Sequence, residues 1–226
     1  AAASVRPRVS ICCSVKNQSK WFADMLETVL NQTFQNFELI VVDDGSTEDI
    51  AGIVAKANDP RIVFHRFEKN KGIPHGCNWG FKHARGDYVQ PLAADERLDP
   101  RKLELQVSYL DTNTKIAAVF GLPNGGPLGA RPECEQHLLK ASNRNRAQWM
   151  LTMLNLDSVP LGGCSALWRR EVFGQVGYFT DKVKAFTDHE FYCRLIENYE
   201  IRVLPYRFSM SIDNPDGVST GNSQEK

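Results

Sequence analysis

The stretch I-V-V-D-D-G-S-T-E-D, from Ile40 to Asp49, leads from an apolar run through two adjacent carboxylates into a turn. Leu39 to Val42 predicts a buried strand, and Gly45 with Ser46 or Thr47 predicts a turn followed by a helix cap. Ligands bind at the carboxyl ends of strands in open α/β sheets, so two acids in this position indicate a ligand site. Asp-Gly-Ser is also common in solvated turns, which is the alternative interpretation.

A second acidic pair favours the ligand site. Tyr88 to Leu92 predicts another strand, and Asp95 with Glu96 follows it, roughly fifty residues after Asp43 and Asp44. Carboxylates at such an edge can accept hydrogen bonds from a ribose or a base. Two strands that both end in acids suggest one shared site, which would suit a metal ion and a diphosphate.

Strand and helix patterns alternate up to about residue 121, which predicts a parallel sheet covered by helices on both faces. The predicted strands are Val9–Val15, Leu39–Val42, Ile62–Phe67, Tyr88–Leu92 and Ile116–Phe120. The predicted helices are one with apolar residues from Trp21 to Leu30, then Ile50–Ala57, Ile73–His83 and Arg101–Leu110, the last capped by Asp99 before Pro100.

The pattern changes after residue 121. A loop rich in glycine and proline, Leu122 to Arg131, carries no G-x-G-x-x-G sequence, which argues against a dinucleotide-binding fold. Further elements are predicted at Glu133–Leu154, Leu161–Trp168, Arg170–Val176, Asp188–Asn198 and Ile201–Leu204.

The composition favours a small-molecule ligand over a charged polymer. Among 226 residues, Lys and Arg together number 27 and so do Asp and Glu, so no net charge attracts nucleic acid or an anionic membrane. No run reaches the roughly 18 apolar residues of a transmembrane segment. The six cysteines show no C-x-x-C spacing, which indicates a reducing compartment. We expect a cytoplasmic protein, free or peripheral at the inner face of the membrane.

Six segments, in this order, resemble family 2 glycosyltransferases, the inverting, nucleotide-sugar-dependent enzymes of the GT-A fold. They are V-S-I-C-C-S-V-K-N, L-N-Q-T-F-Q-N-F-E-L-I-V-V-D-D-G-S-T, N-K-G-I-P-H-G-C-N-W-G-F-K-H-A-R-G-D-Y, D-E-R-L-D-P, G-G-C-S-A-L-W-R-R-E-V-F and T-D-H-E-F-Y-C-R-L. The resemblance runs from about Val9 to Leu204. It implies an α/β fold with a Rossmann-like, mostly parallel sheet and a smaller acceptor-binding part in the C-terminal half.

The resemblance also implies a division of labour within one GT-A domain. Residues 1–121 would bind the nucleotide-diphosphate sugar, and residues 122–226 would bind a glycan or lipid-linked glycan acceptor. The expected role is surface polysaccharide or glycan synthesis. The short chain and its polar end suggest that it is one domain of a longer protein with further domains.

The donor site that the resemblance implies lies at the ends of the first strands. Its expected residues are Ser14, Val15, Lys16 and Asn17 around base and ribose, Asp43 and Asp44 on the base, Gly72 and Asp95. Gly72 would begin a helix whose free N–H groups face the diphosphate, since a helix N-terminus favours anions. The other interpretation of Gly72 is a simple turn glycine.

A divalent metal, Mg²⁺ or Mn²⁺, is implied at Asp95, which matches the last acid of the family's D-x-D motif. The chain departs from that motif, because Ala93 and Ala94 stand where acids often occur. A single carboxylate can still hold Mg²⁺ together with phosphate and water, and Glu96 is a second candidate. A histidine that often follows the last strand in the family is missing, which leaves Asp213 or Asp216 in its place.

The catalytic base that the resemblance implies is Asp188. An inverting transfer needs one carboxylate to take the proton of the acceptor hydroxyl. The other interpretation of Asp188 is a helix N-cap, and Glu190 is a weaker candidate for the base.

For the acceptor, the expected residues are Gly163, Cys164 and Trp168, with Trp168 either stacked on a sugar or part of the core. Trp149 with Arg144 and Arg146 is a further candidate wall of that site, or else part of an amphipathic core helix.

Two rival functions remain open at this point. A sugar nucleotidyltransferase would share the fold, but it normally carries a glycine-rich basic signature that Val15 to Lys20 lacks. A catalytically weak nucleotide-sugar or glycan-binding module of a larger protein would fit the truncated metal motif. Turnover of a donor with and without divalent metal would discriminate between these readings.

Overall fold

The computed structural model describes residues 6–122, 144–154, 161–183 and 187–211. Its strands are β1 (Val9–Val15), β2 (Phe37–Asp43), β3 (Ile62–Arg66), β4 (Tyr88–Ala93), β5 (Glu96–Leu98), β6 (Ile116–Leu122), β7 (Leu167–Arg169), β8 (Glu200–Arg207) and β9 (Ser209–Ser211). Its helices are α1 (Ser19–Leu30), α2 (Ile50–Ala57), α3 (Ile73–His83), α4 (Lys102–Thr112), α5 (Arg146–Leu154), α6 (Val172–Val176) and α7 (Thr187–Asn198).

Seven strands form one sheet in the order β3-β2-β1-β4-β7-β6-β8. All neighbouring pairs are parallel except those that β7 makes, because β7 runs antiparallel to both β4 and β6. The predicted mostly parallel sheet is therefore confirmed. Strands from both halves of the chain share it, since β7 and β8 flank β6.

Alternate side chains of the central strands pack on opposite faces of this sheet. Cys12, Ile40 and Val42 lie in one core, which also contains apolar residues of α3, α5, α6 and α7. Ile11 and Val41 lie in the other core, together with residues of α1, α2 and α4. Burial on both faces explains why these strands read as continuous apolar runs.

The strand and helix predictions are confirmed up to β6, with shifts of a residue or two at some ends. Two details are wrong. The cap of α2 is Asp49, whose side chain accepts a hydrogen bond from the Gly52 N–H at 2.8 Å, and it is neither Ser46 nor Thr47. Helix α4 begins at Lys102, so Asp99 is not its N-cap, although its carboxylate accepts a hydrogen bond from the Arg101 N–H at 2.9 Å.

A small second sheet was not predicted. Strands β5 and β9 have three residues each and pair antiparallel. Strand β5 begins directly after the turn that contains Asp95. Parts of other predictions lie outside the described residues: the first part of the helix from Glu133, most of the loop from Leu122, and the tail that contains Asp213 and Asp216.

Candidate active site

The carboxyl ends of β1, β2 and β4 lie level with one another. In the sheet register Val15 faces Asp43 and Ser14 faces Ala93. Asp44 follows β2 directly, and Asp95 lies in the turn between β4 and β5. The two acidic strand ends that the sequence predicted therefore reach the same edge of the sheet.

Asp44 is almost completely buried and hydrogen-bonds to the backbone of two other segments. Its N–H donates to the Val15 carbonyl at 2.8 Å, and its carboxylate accepts from the N–H groups of Lys71 at 2.7 Å and Gly72 at 2.8 Å. The N–H of Gly72 itself is therefore already hydrogen-bonded, and a diphosphate near the start of α3 stays a prediction. The carboxylate at this helix N-terminus is that of Asp44, which ties the start of α3 to the end of β2.

The backbone conformation at position 72 nevertheless requires a glycine. Its φ of 91° lies in the range that side chains rarely adopt, and Ile73 and Pro74 follow as the first residues of α3. The same helix packs closely on β1, because a Cβ on Gly76 would lie 2.0 Å from the Ser14 Oγ. The glycines of this segment thus bring α3 against the ends of β1 and β2.

Asp43 and Asn17 stabilise the loop that follows β2. The Asp43 carboxylate accepts from the Ser46 N–H at 2.8 Å and lies 3.5 Å from the Arg66 guanidinium. The Asn17 side-chain carbonyl accepts from the Thr47 N–H at 2.9 Å. Both residues were expected to bind the nucleotide. In the structure, their side chains hydrogen-bond to the backbone of the loop after β2.

The other residues of the first loop differ in exposure. Val15 is buried, Ser14 and Asn17 are half-buried, and Lys16 is exposed. Lys16 is therefore accessible from solvent beside Asn17, whereas Val15 contributes its carbonyl to Asp44.

Asp95 and Glu96 are half-buried and close to the thiols of the site. Burial raises the pKa of Cys164 well above its usual value, and the nearby charges of Glu96 and Asp95 raise it further. Within the ranges that the structure describes, no three His, Cys, Asp or Glu side chains are grouped as a metal centre. The donor set fits Mg²⁺ or Mn²⁺ only as one carboxylate, or two, supplemented by phosphate and water oxygens.

The acceptor side of the edge is a short 3₁₀ turn, Gly163–Ser165, before β7. The Ala93 N–H donates to the Cys164 Sγ at 3.3 Å, so the end of β4 contacts this turn. Gly163 and Cys164 are half-buried, and Cys164 lies close to the carboxylates of Glu96 and Asp95; their acceptor-binding role stays a prediction.

A buried lysine supports this turn from below. Lys102 is fully buried, and its Nζ donates to the side-chain carbonyls of Gln90 and Gln106 and to the Ala166 carbonyl at 3.1 Å. The two amide groups in turn donate to the carbonyls of Cys164 at 2.9 Å and Ser165 at 2.8 Å. Three consecutive carbonyls of the turn are thus held by one polar cluster.

The sequence analysis missed this cluster. Desolvation by burial lowers the pKa of Lys102 well below its ordinary value, because the charged ammonium loses its hydration. The only local signal is that Lys102 and Gln106 are four residues apart on α4 and so lie on one face. The usual reading of such a pair is a solvated helix face.

Asp188 lies in the first turn of α7 with a half-buried side chain. Its Oδ1 accepts from the His189 N–H at 2.9 Å, and its Oδ2 lies 4.0 Å from the point where a Cβ on Gly163 would be. Burial raises the pKa of Asp188, because the charged form loses solvation. A carboxylate with a raised pKa is a better proton acceptor.

Glu190 has a different environment. Both of its oxygens accept from the Arg194 guanidinium at 2.7 Å, and the same guanidinium donates to the Tyr178 carbonyl at 2.9 Å. Glu190 therefore stabilises the loop after α6, which agrees with its weaker candidacy as a base.

Trp168 is part of the core, so the interpretation as a sugar-stacking residue is wrong. Its side chain is completely buried among Phe81, Phe173, Phe191 and Tyr192. Trp149 is likewise buried to 1% exposure and lines no accessible wall. When helices cover both faces of a sheet, an apolar side chain on a strand is buried on either face.

Cys77 on α3 shows that the two sides of the site meet. Burial raises the pKa of its thiol to about 12, and the charges of Asp188 and then Asp44 contribute. Both carboxylates therefore act on one thiol at the same edge. Each of the five cysteines in the described part of the chain is a free thiol.

The described helices include none that is long and apolar enough to cross a bilayer.

Comparison with known proteins agrees with this geometry. The sequence profile of glycosyl transferase family 2 matches residues 10–177. An uncharacterized glycosyltransferase of Rickettsia bellii is 37% identical over 109 residues, which are 48% of this chain and 16% of that protein. Chondroitin synthase of Escherichia coli is 36% identical over 116 residues, 50% of this chain and 17% of the synthase. The chain thus matches only 16% to 18% of the length of these and similar relatives.

Two solved structures share the fold. Residues 1–349 of TarS from S. aureus, in complex with UDP-GlcNAc, superpose with a TM-score of 0.77 at 19% identity, over 96% of this chain and 61% of that one. The mannosyltransferase PcManGT of Pyrobaculum calidifontis, in complex with GDP-Man and Mn²⁺, gives 0.70 at 20% identity, over 89% and 56%. Because the family profile covers most of the chain and the sheet agrees with these structures, the chain belongs to glycosyl transferase family 2 and is a glycosyltransferase domain with the GT-A fold.

Proposed function

We propose that this domain transfers a sugar from a nucleoside-diphosphate donor to an acceptor hydroxyl with inversion at the anomeric carbon. The observation that carries the proposal is the position of Asp188. This partly buried carboxylate with a raised pKa lies beside the glycine turn, at the edge where Asp44 and Asp95 end their strands. Asp188 would serve as the base on the acceptor side of the site.

In the proposed reaction, an acceptor oxygen attacks the anomeric carbon and forms the new glycosidic bond. The bond from that carbon to the diphosphate oxygen breaks, and the nucleoside diphosphate leaves with the electron pair. Asp188 takes the proton of the acceptor hydroxyl as the oxygen attacks. Attack from the side opposite the leaving group inverts the configuration.

The donor side of the site would hold the nucleotide. Asp44 is proposed to contact the base, with the segment Ser14–Asn17 around base and ribose and Gly72 beside the diphosphate. The structural neighbours carry UDP-GlcNAc in one case and GDP-Man in the other, which supports a nucleotide sugar as donor.

Asp95 is proposed to hold the divalent metal, with Glu96 as an assisting residue. A bound Mg²⁺ or Mn²⁺ would act as a Lewis acid that neutralises charge on the departing diphosphate. The half-buried position of Asp95 at the end of β4 and the Mn²⁺ in PcManGT support this assignment.

A division of the domain into a donor-binding and an acceptor-binding half is part of the proposal. Residues 1–121 are proposed to bind the donor, and residues 122–226, with Gly163 and Cys164, the acceptor. The acceptor is proposed to be a glycan or lipid-linked glycan in polysaccharide synthesis, which the partial match to chondroitin synthase supports.

The experiment is a transfer assay with a panel of nucleotide sugars and oligosaccharides, with and without Mn²⁺, in which NMR reads the anomeric configuration of the product. Asp188→Asn should lower turnover by about 10²–10⁴-fold, the usual contribution of a general base, and leave donor affinity unchanged. Glu190→Gln is the matched control and should keep turnover within a few-fold, because Glu190 binds Arg194.

Near wild-type transfer by Asp188→Asn would contradict its role as base. Binding of donors without turnover by the wild type would instead favour a catalytically weak binding module, for which the alanines at positions 93 and 94 are the motivating observation.

A further inference from the structure

Tyr192 carries a buried hydroxyl that the fold does not use. The side chain is completely buried, and its hydroxyl has no hydrogen-bond partner among the residues that the structure describes. Tyr88 shows the usual arrangement, because its buried ring directs the hydroxyl to the Asp111 carboxylate at 2.5 Å. A buried donor without a partner costs stability, so such a group calls for an explanation such as a bound ligand.

The Tyr192 hydroxyl lies beside the proposed base. Tyr192 follows Asp188 by four residues on α7, so both side chains project from the same face of the helix. A Cβ placed on Gly163 would lie 3.4 Å from the Tyr192 hydroxyl and 4.0 Å from the Asp188 Oδ2. The position that a Gly163 side chain would occupy is therefore within van der Waals distance of two polar oxygens, of which the Tyr192 hydroxyl is closed to solvent.

The ring of Tyr192 is held rigidly in that position. It packs edge-to-face on Phe120, with ring centroids 5.1 Å apart, and against Trp168 and Phe191. Desolvation and then the charges of Asp188 and Cys164 raise the pKa of Tyr192 well above its ordinary value, so the phenol keeps its proton and remains a donor. A donor fixed by packing can bind a ligand without first losing rotational freedom.

We propose that Tyr192 is an acceptor-binding residue, whose hydroxyl donates a hydrogen bond to the acceptor hydroxyl that lies over Gly163 and that Asp188 deprotonates. This inference rests on the proposed function. The proton and both lone pairs of the acceptor hydroxyl each have one role. The proton goes to Asp188, one lone pair accepts a hydrogen bond from Tyr192, and the other lone pair attacks the anomeric carbon. Gly163 is the residue that leaves room for this oxygen.

Tyr192→Phe tests the proposal, since it removes only the hydroxyl and keeps the ring in the core. The kcat/KM for the acceptor should fall by about 2- to 12-fold, the loss of one neutral hydrogen bond of roughly 0.5–1.5 kcal/mol. Donor affinity, measured by calorimetry, should stay the same. The melting temperature should be unchanged or higher, because the variant no longer buries an unpartnered donor.

Tyr88→Phe is the matched control with the opposite expectation. It removes a hydroxyl that donates to Asp111, so it should lower the melting temperature and leave acceptor kinetics unchanged. Gly163→Ala is a second variant that fills the proposed acceptor position without close contacts to the core. It should raise the acceptor KM and leave donor affinity unchanged.

Two results would overturn the inference. One is a Tyr192→Phe variant with wild-type acceptor kinetics while Asp188→Asn is inactive, in which case the proposed function stands and only the role of Tyr192 fails. The other is a lower melting temperature with unchanged acceptor kinetics, which would show that the hydroxyl has a structural partner. If the wild type transfers no sugar from any donor, the proposed function fails and the inference falls with it.

Discussion

The two sides of the site are built in opposite ways. On the donor side, both carboxylate oxygens of Asp44 accept from backbone N–H groups, and one side-chain oxygen each of Asn17 and Asp43 accepts from a backbone N–H of the next loop. On the acceptor side, Asp188 accepts from the N–H of its own neighbour, and the Tyr192 hydroxyl has no partner in the described residues. The start of α3 on the donor side is therefore held by side-chain to backbone hydrogen bonds, whereas on the acceptor side the buried Tyr192 hydroxyl is left without one among the described residues.

This difference has an energetic consequence. A carboxylate whose two oxygens both accept backbone hydrogen bonds contributes to folding, while burial of a carboxylate or phenol that is not fully hydrogen-bonded costs stability. The raised pKa of Asp188 and the unpartnered Tyr192 hydroxyl mark the acceptor side as the place where stability is given up for binding or catalysis.

Asp44→Asn should have the largest effect on folding. One amide oxygen can replace one carboxylate oxygen, but the amide NH₂ would face a backbone donor, so unfolding free energy should fall by about 1–3 kcal/mol. Nucleotide affinity should weaken by a comparable amount, roughly 1–3 kcal/mol, if Asp44 also contacts the base. Urea denaturation and calorimetry with nucleoside diphosphates measure the two quantities.

Asp49→Ala is the control for this variant. Asp49 belongs to the same loop and holds the Gly52 N–H, so its loss should cost about 1 kcal/mol of stability and leave nucleotide affinity unchanged. Unchanged nucleotide affinity in Asp44→Asn as well would restrict Asp44 to a structural role and remove it from the binding site.

Asp95→Asn should have the next largest effect, because Asp95 lies where the two sides meet. Loss of the only well-placed acid of the truncated motif should weaken metal-dependent nucleotide binding by at least about tenfold. Binding without metal should be unaffected, and the melting temperature should be close to that of the wild type. Titration of a nucleoside diphosphate with and without Mn²⁺ measures the difference.

Glu96→Gln is the matched control and should do less. A larger effect of Glu96→Gln than of Asp95→Asn would mean that the metal is held one residue later, at the start of β5.

The smallest expected effect is a gain in stability for Asp188→Asn. The pKa of Asp188 is higher in the folded than in the unfolded state, so its contribution favours folding below the ordinary value of 3.8 and is lost as the pH rises through the folded-state pKa. At pH 7 the neutral asparagine avoids this cost. The variant should therefore unfold at higher denaturant concentration than the wild type.

The gain of Asp188→Asn should shrink as the pH falls through the raised folded-state pKa and should vanish below 3.8, where the carboxyl is protonated in both states. Denaturation curves from pH 7 downward measure it. A variant that is less stable than the wild type at pH 7 would show that Asp188 serves folding in the same way as Asp44, and the contrast between the two sides would disappear.

Sequence reasoning predicted the first half of the fold well. Helices α2 and α3 have the predicted bounds, Ile50–Ala57 and Ile73–His83, because their apolar spacing and glycine or proline boundaries are local signals. Strands β5 and β9 were missed, since each has three residues and pairs with a segment more than a hundred positions away. The antiparallel direction of β7 was missed because this strand also has only three residues and pairs with β4 and β6, which are distant in the sequence.

The site was predictable where a strand end supplies the side chain. Asp44 and Asp95 lie at the expected edge of the sheet because each follows the carboxyl end of an apolar strand. The burial of Lys102 was not predictable, as its partners come from β4 and from the turn at residues 163–165. Trp168 could not be assigned to core or surface until the helices over its face were known.

The sequence by itself determined the parallel sheet and the edge at which the acids lie, because hydrophobic periodicity and turn chemistry act over a few neighbouring residues. Only the tertiary structure decided that both oxygens of Asp44 accept backbone hydrogen bonds while Asp188 is desolvated near the Tyr192 hydroxyl, which has no partner among the described residues. Burial and hydrogen-bond partners depend on which distant segments pack together. Solvation, and with it the pKa of each acid, is therefore a property of the fold and not of the local sequence.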